Sequence, residues 1–176
     1  MKTALISTVR NEAYDLSAFL ASIERQTRKP DLVVITSADS DAGTDEILQE
    51  FEDTHYDSFV WLPLGDIGRS FGRNKAIELA IKQGAEAVAL TNVCELFPAW
   101  LETIVAPIER HEADVVGGAY IIKTSNERES ALALLTQYSP ADGAFHNTAR
   151  SMALAADVWA DVTGFNIGLD TSEDTE

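Results

Sequence analysis

Short apolar runs alternate with amphipathic stretches along the first two thirds of the chain. The runs are rich in β-branched residues and are bounded by polar turns, which is typical of buried strands, and they cover residues 3–8, 32–36, 59–62 and 87–90. Between them, apolar residues recur at helical spacing, as Leu16, Phe19 and Ile23 do. The β-α-β-α-β-α-β order favours right-handed crossovers. We therefore predict a Rossmann-like α/β fold with a mainly parallel central sheet flanked by helices.

Capping residues indicate where the helices begin and end. Asn11 is a candidate N-cap of the first helix, Gly84 follows the third, and Pro98 is expected in the first turn of the fourth. The alternation loosens from Asp114 onward. There the pattern predicts a strand over residues 114–122, a helix over 127–138 and a short strand over 151–154.

Composition narrows the class of protein. The 176 residues are 45% apolar and contain no Pro/Gly/Ser-rich divider, so we expect a single domain over residues 1–176. A formal net charge of -16 argues against nucleic acid as a main partner. A single cysteine, Cys94, cannot form an internal disulfide and fits a reducing compartment. Since no apolar run approaches the roughly 20 residues of a membrane span, we expect a cytoplasmic protein without a transmembrane segment.

Polar clusters follow three of the predicted strands, at residues 8–12, 37–41 and 68–75. Ligands of open α/β sheets bind outside the carboxyl ends of the strands, where these clusters would meet. The third cluster places Arg69, Arg73 and Lys75 with two glycines at the start of a helix. Free backbone N–H groups and the helix dipole favour an anion there, such as a diphosphate. The alternative is a solvated, capped helix start.

The run Ala-Leu-Ile-Ser-Thr-Val-Arg-Asn-Glu-Ala at residues 4–13 resembles the opening strand and turn of family 2 glycosyltransferases. Further segments resemble that family in the same order, at residues 32–44, 72–77, 98–102, 113–118, 164–165 and 172–175. The resemblance implies a GT-A fold. It also implies an inverting glycosyltransferase, of the hexosyltransferase type, that moves a sugar from a nucleotide-diphosphate-sugar donor to a hydroxyl acceptor in glycan or polysaccharide assembly.

The resemblance assigns roles to individual residues. The implied nucleotide-sugar-binding set is Thr8, Arg10, Glu12, Ser37, Asp39, Arg73, Asn74 and Asn92. The first five would line the nucleoside pocket, and Arg73 and Asn74 would approach the base or the diphosphate. Asp174 would be the general base that takes the proton of the acceptor hydroxyl, with Glu173 beside it. The alternative for these two carboxylates is a charged, frayed tail.

The fourth strand departs from the family at the metal motif. The family has Asp-x-Asp there, whereas this chain has Thr-Asn-Val-Cys-Glu at residues 91–95, and neither possible register keeps a carboxylate. Glu95 is the candidate oxygen ligand for a divalent cation, Mg²⁺ or Mn²⁺. Three hypotheses stay open: a metal-assisted enzyme using Glu95, a metal-independent enzyme using Arg69, Arg73 and Lys75, and a non-catalytic nucleotide-sugar-binding module or degenerate remnant.

The far end of the chain bears on its partners. More polypeptide follows the base in the resembled enzymes, so we expect a C-terminally truncated domain whose acceptor the sequence does not identify. An apolar edge left by such a truncation favours oligomerisation. A nucleotidyltransferase is a third alternative, but it would need a glycine-rich loop after the first strand, and residues 8–13 contain no glycine.

Overall fold

Strands and helices alternate in the computed structural model, which describes residues 1–55, 57–136 and 148–169. The strands are β1 (Thr3–Val9), β2 (Leu32–Ala38), β3 (Phe59–Leu64), β4 (Ala87–Thr91), β5 (Val115–Gly117) and β6 (Ser151–Ala155). The helices are α1 (Ala13–Glu24), α2 (Ala42–His55), α3 (Arg69–Lys82), α4 (Trp100–Glu109), α5 (Glu127–Thr136) and α6 (Ala156–Asp161). No helix within the described ranges is both long enough and apolar enough to cross a bilayer.

The strands form a six-stranded sheet in the order β3-β2-β1-β4-β6-β5. Strands β1 to β4 are mutually parallel where they pair, whereas β6 runs antiparallel to both β4 and β5. Thr8 of β1 lies beside Thr36 of β2, and Thr91 of β4 lies beside Ser151 of β6. The predicted mainly parallel sheet is confirmed. One edge therefore gathers the carboxyl ends of β1 to β4 and the first residue of β6.

Both faces of the sheet are covered, which explains why the strands are continuously apolar rather than alternating. Ile6 and Val34 pack with Ile77 of α3 on one face, and Leu5 packs with Phe19 of α1 on the other. All five are at least 95% buried. Full burial of each such side chain contributes about 1.5–3 kcal/mol, so these two layers hold the strand ends in place.

Three local predictions need correction. The N-cap of α1 is Glu12, because the Asn11 side chain accepts a bond from the backbone of Asp41 instead of capping the helix. Helix α4 begins at Trp100, so Pro98 precedes it rather than occupying its first turn. Strand β5 ends at Gly117 and does not reach residue 122, because its pairing with β6 covers only three residues.

Other predicted elements are confirmed. The four early strands, β6 and the helix over residues 127–136 form as expected, and residues 137–138 of that helix lie outside the described residues. Gly84 follows α3 with a φ of 89°. A left-handed backbone costs glycine little, and it ends the helix there.

Candidate functional site

The loops after β1 and β2 are joined into one unit by hydrogen bonds. The backbone N–H of Asp41 donates to Asn11 Oδ1 at 2.8 Å, and that of Glu12 donates to Thr44 Oγ1 at 3.1 Å. The Thr44 N–H donates to Asp41 Oδ1 at 2.9 Å, and bonding from Thr44 holds the pKa of the Asp41 carboxyl below its ordinary value. Because each loop fixes the other, this edge presents a preformed polar surface.

Three predicted nucleoside-pocket residues, Thr8, Arg10 and Asp39, lie on this edge. Thr8 is half-buried, whereas Arg10 and Asp39 are exposed. Arg10 forms a 3.3 Å ion pair with Asp66, which connects the β1 loop to the loop before α3. Asp39 has a left-handed φ of 47°, and its N–H donates to Leu64 O at 3.1 Å. The backbone therefore holds Asp39 at the loop surface with its carboxylate toward solvent.

Ser37, the fourth predicted pocket residue, is buried. Its hydroxyl oxygen accepts a 3.0 Å hydrogen bond from the indole N–H of Trp61, and 1% of the residue is exposed. Successive strand residues point to opposite faces, so Ser37 lies on the face opposite Thr36. This hydrogen bond connects β2 to β3 beneath the edge formed by the carboxyl ends of the strands.

Glu12, the fifth predicted pocket residue, is a half-buried carboxyl at the start of α1. Burial raises its pKa above the ordinary value, nearby Asp15 raises it further, and Arg69 partly opposes both. The folded protein therefore binds a proton at Glu12 more tightly than the unfolded chain does. A ligand that donates hydrogen bonds to the Glu12 carboxylate would offset the free-energy cost of burying its charge.

Substitution Glu12→Gln is expected to change how stability depends on pH. The stability that protonated Glu12 contributes is present below the ordinary glutamate pKa of about 4.3 and is lost as the pH rises through the raised value. The gain of Glu12→Gln over wild type should therefore grow between pH 4 and pH 7, as measured by urea unfolding at both pH values. Glu112→Gln is the control of opposite sign, because Arg110 lowers the pKa of Glu112. A pH-independent difference at Glu12 contradicts the assignment.

Helix α3 approaches the strand ends unusually closely at Gly72. A Cβ at this position would lie 2.9 Å from Thr36 Oγ1 and 3.3 Å from Thr8 Cγ2. Because Gly72 has no side chain, α3 can pack directly against β1 and β2. This packing places the next residue, Arg73, beneath the strand ends. Arg73 is only 4% exposed, and its Nη2 donates to Asn92 Oδ1 at 3.4 Å. The structure thus brings the predicted residues Arg73 and Asn92 together.

Asn74, the neighbouring predicted ligand, has its side-chain amide engaged with the backbone of Phe165. Its Nδ2 donates to Phe165 O at 2.8 Å, and the Phe165 N–H donates to Asn74 Oδ1 at 2.9 Å. The Phe165 ring in turn lies 5.8 Å from the Arg73 guanidinium carbon. Sequence reasoning gave Phe165 no role at the site, although the Gly-Phe pair at residues 164–165 marked the segment.

The loop after β4 does not offer a set of ligands that suits a divalent cation. Both carboxylate oxygens of Glu95 are held by cations, one by Arg25 at 3.2 Å and the other by Lys123. The bond from Lys123 also lowers the pKa of Glu95. In the part of the chain that the structure describes, no three His, Cys, Asp or Glu side chains group closely enough to hold a metal. Hard cations need several oxygen ligands, so one engaged carboxylate is a poor fit.

A cavity of about 350 Å³ lies between the β4 loop, residues 119–123 and the start of β6. Its lining is mainly apolar and includes Leu96, Trp100 and Ile121, with Arg150 at one side. Asn92 lines it too, so the cavity adjoins the residue that bonds Arg73. Sequence reasoning missed this space because residues 118–122 were predicted to continue a strand. The predicted catalytic pair, Glu173 and Asp174, lies outside the described residues.

This sheet, with its antiparallel strand beside β4 and its polar edge, has the GT-A fold of solved glycosyltransferases. S. aureus TarS residues 1–349, solved with UDP, matches at a TM-score of 0.70 with 17% identity, covering 99% of this chain and 53% of that TarS chain. The mannosyltransferase PcManGT from Pyrobaculum calidifontis, solved with GDP-Man and Mn²⁺, matches at 0.64 with 21% identity over 99% and 50%. The chain therefore spans about half the length of these two solved chains, and 32% of the chain in the structure of TarS itself.

The sequence itself places the chain within this class. Residues 4–170 match the model of glycosyl transferase family 2, and the chain belongs to that family. No curated protein matches the sequence. The GT-A fold predicted from the resemblance is confirmed.

Proposed function

We propose that the protein transfers a sugar from a nucleoside-diphosphate sugar to a hydroxyl acceptor with inversion at the anomeric carbon. The observation that carries this proposal is the buried Arg73 guanidinium, held beside Asn92 beneath the ends of parallel strands. A buried, hydrogen-bonded guanidinium at the ligand-binding edge of an α/β sheet suits a phosphate oxygen. TarS and PcManGT, which share the fold, were solved with UDP, UDP-GlcNAc and GDP-Man.

The donor would lie across the joined loops of β1 and β2. Thr8, Arg10, Glu12 and Asp39 would line the nucleoside. The diphosphate would lie between Arg73 and the first turn of α3, whose N-cap is Gly68. The N–H groups of that turn and the helix dipole favour negative charge.

The proposed transfer step uses the base that the family resemblance implies. Asp174 would accept the proton of the acceptor hydroxyl while the oxygen attacks the anomeric carbon from the side opposite the diphosphate. The bond from that carbon to the diphosphate oxygen breaks, and its electron pair leaves with the nucleoside diphosphate. Arg73 and the α3 N-terminus would stabilise the charge that develops there, a role that preorganised donors fill well. The apolar cavity beside Asn92 offers room for the acceptor.

A non-catalytic nucleotide-sugar-binding module is the second candidate. The observation that favours it is the β4 loop. In place of the two motif carboxylates this loop has Thr91 and Val93 in one register, or Asn92 and Cys94 in the other. Binding of a nucleotide sugar without any turnover would select this function over transfer.

The proposed location and assembly rest on surface features. Cys94 is exposed as a free thiol, which fits the reducing cytoplasm. Leu134 and Leu135 of α5 are each 85% exposed, and they offer an apolar surface for self-association. Sedimentation over a range of concentrations measures whether the protein self-associates.

Calorimetric titration with UDP, GDP, UDP-GlcNAc and GDP-Man, with Mn²⁺ or with EDTA, tests the function and its metal dependence. We expect at least one nucleotide to bind, with Mn²⁺ changing its affinity by less than about threefold, or about 0.7 kcal/mol. The reason is that cations already hold both oxygens of Glu95.

Glu95→Gln, with Glu112→Gln as the matched exposed control, decides between the metal hypotheses. A strong Mn²⁺ requirement that disappears in Glu95→Gln alone would establish Glu95 as a metal ligand and contradict metal independence. Absence of binding by every nucleotide, with and without Mn²⁺, would overturn the proposed function altogether.

A further inference from the structure

Helix α3 and the segment after α6 are joined at one point by a reciprocal pair of hydrogen bonds. The Asn74 side chain both donates to and accepts from the Phe165 backbone, at 2.8 and 2.9 Å, across 91 residues of sequence. An amide side chain that satisfies both polar groups of one residue mimics the pairing of two strands. The contact therefore fixes the position and the direction of the backbone at Phe165.

Gly164 shows how tightly this contact is built. Its φ is 85°, and an added Cβ would lie 2.9 Å from Asn74 Oδ1 and 3.0 Å from Trp159 Cζ2. Only glycine meets both conditions, because other residues would strain the backbone and displace Asn74. The chain thus enters the contact along a single path.

Phe165 also reaches the proposed diphosphate site from the same anchor. Its ring lies 5.8 Å from the Arg73 guanidinium carbon, within the range of a cation–π contact. Two neighbouring residues of α3 therefore contact Phe165. Asn74 bonds its backbone, and Arg73 lies beside its ring. Residues 166–169, by contrast, are exposed.

We propose that Asn74 is a positioning residue rather than a nucleotide ligand. By anchoring Phe165, Asn74 fixes the backbone relative to Arg73 at a point nine residues before the predicted base Asp174 in the sequence. This inference rests on the proposed function. A base misplaced by about 1 Å costs on the order of 10²-fold in rate, so a two-bond anchor close to the donor has a direct catalytic consequence.

Asn74→Ala tests the proposal through three measurements: nucleotide affinity, donor turnover and hydrogen exchange of the Phe165 amide. We expect Asn74→Ala to change the Kd of the bound nucleotide by less than about threefold while donor turnover falls by about tenfold or more. Exchange of the Phe165 amide should accelerate, because its acceptor is Asn74 Oδ1. Gly164→Ala should reproduce both effects from the opposite side of the contact, without a substitution in α3.

Asn126→Ala is the matched control, since Asn126 is exposed and its bonds within the described ranges are to its neighbours at residues 125–130. A loss of nucleotide affinity in Asn74→Ala as large as in an Arg73 variant would make Asn74 a ligand and overturn the inference. Unchanged turnover with accelerated exchange would overturn it as well. A wild type that binds no nucleotide rejects the proposed function instead, and unaltered Phe165 exchange in Asn74→Ala would then reject the anchor separately.

Discussion

Replacing Arg73 with glutamine is expected to weaken nucleoside diphosphate binding by about 30- to 150-fold, or about 2–3 kcal/mol. The guanidinium is 4% exposed and lies beside Asn92, so little water is available to replace a lost charge-assisted bond to phosphate. Calorimetry with whichever of UDP or GDP binds the wild type measures the effect. Urea unfolding of the same variant shows how much of the loss comes from stability.

Two further arginine variants sharpen this result. Arg73→Lys keeps the charge but loses the planar fork of donors, so its affinity should fall between those of wild type and Arg73→Gln. Arg110→Gln removes an exposed arginine that pairs with Glu112 after α4, and it should bind like wild type. Wild-type affinity in Arg73→Gln would place the diphosphate elsewhere and remove the observation on which the proposed function stands.

Substitution Gly72→Val is expected to lower the free energy of unfolding by about 2–3 kcal/mol, near the upper end of the usual cost of overpacking. A Cβ alone would lie 2.9 Å from Thr36 Oγ1 and 3.3 Å from both Thr8 Cγ2 and Ile67 Cδ1. The helix would have to move away from β1 and β2 to make room. For a chain of this length, each kcal/mol lowers Tm by about 2–4 °C, which thermal unfolding readily detects.

Gly65→Val is the matched control for this experiment. A Cβ at Gly65 would meet no atom within 4 Å, so its substitution should change the free energy of unfolding by no more than about 0.5 kcal/mol. Equal stability of the two variants would show that α3 tolerates a larger separation from the sheet. Gly72→Val should also weaken nucleotide binding, because Arg73 moves with the helix.

The main strands could be predicted because burial on both faces leaves a continuous apolar signal in the sequence. The local sequence did not show where a contact with a distant residue overrides a local preference for capping or for strand formation. The Asn11 side chain bonds Asp41 in another loop, and β5 depends on a partner strand more than 30 residues away. Such contacts form between residues that only the folded chain brings together. The predictions of the Asn11 cap and of the long β5 strand were therefore wrong.

The site shows the same division between position and orientation. The strand-end argument placed Thr8, Arg10, Asp39 and Arg73 on one edge because parallel strands deliver their carboxyl ends together. It carried no information about which way each side chain turns. The Ser37 hydroxyl therefore bonds the half-buried Trp61 indole, and the Asn74 amide bonds Phe165, through tertiary contacts that residue type and spacing do not encode.

The reversed direction of β6 has a consequence for the order in which the protein folds. The chain enters β6 beside Thr91, leaves it beside Ala87 at the opposite edge, and only later returns to α3 at Phe165. The pairing of β1 with β2 closes a loop of about 30 residues, whereas the Asn74–Phe165 contact closes one of 91. Long loops close late and slowly. During synthesis the sheet edge proposed to hold the donor should thus form first, and Phe165 should dock onto α3 last.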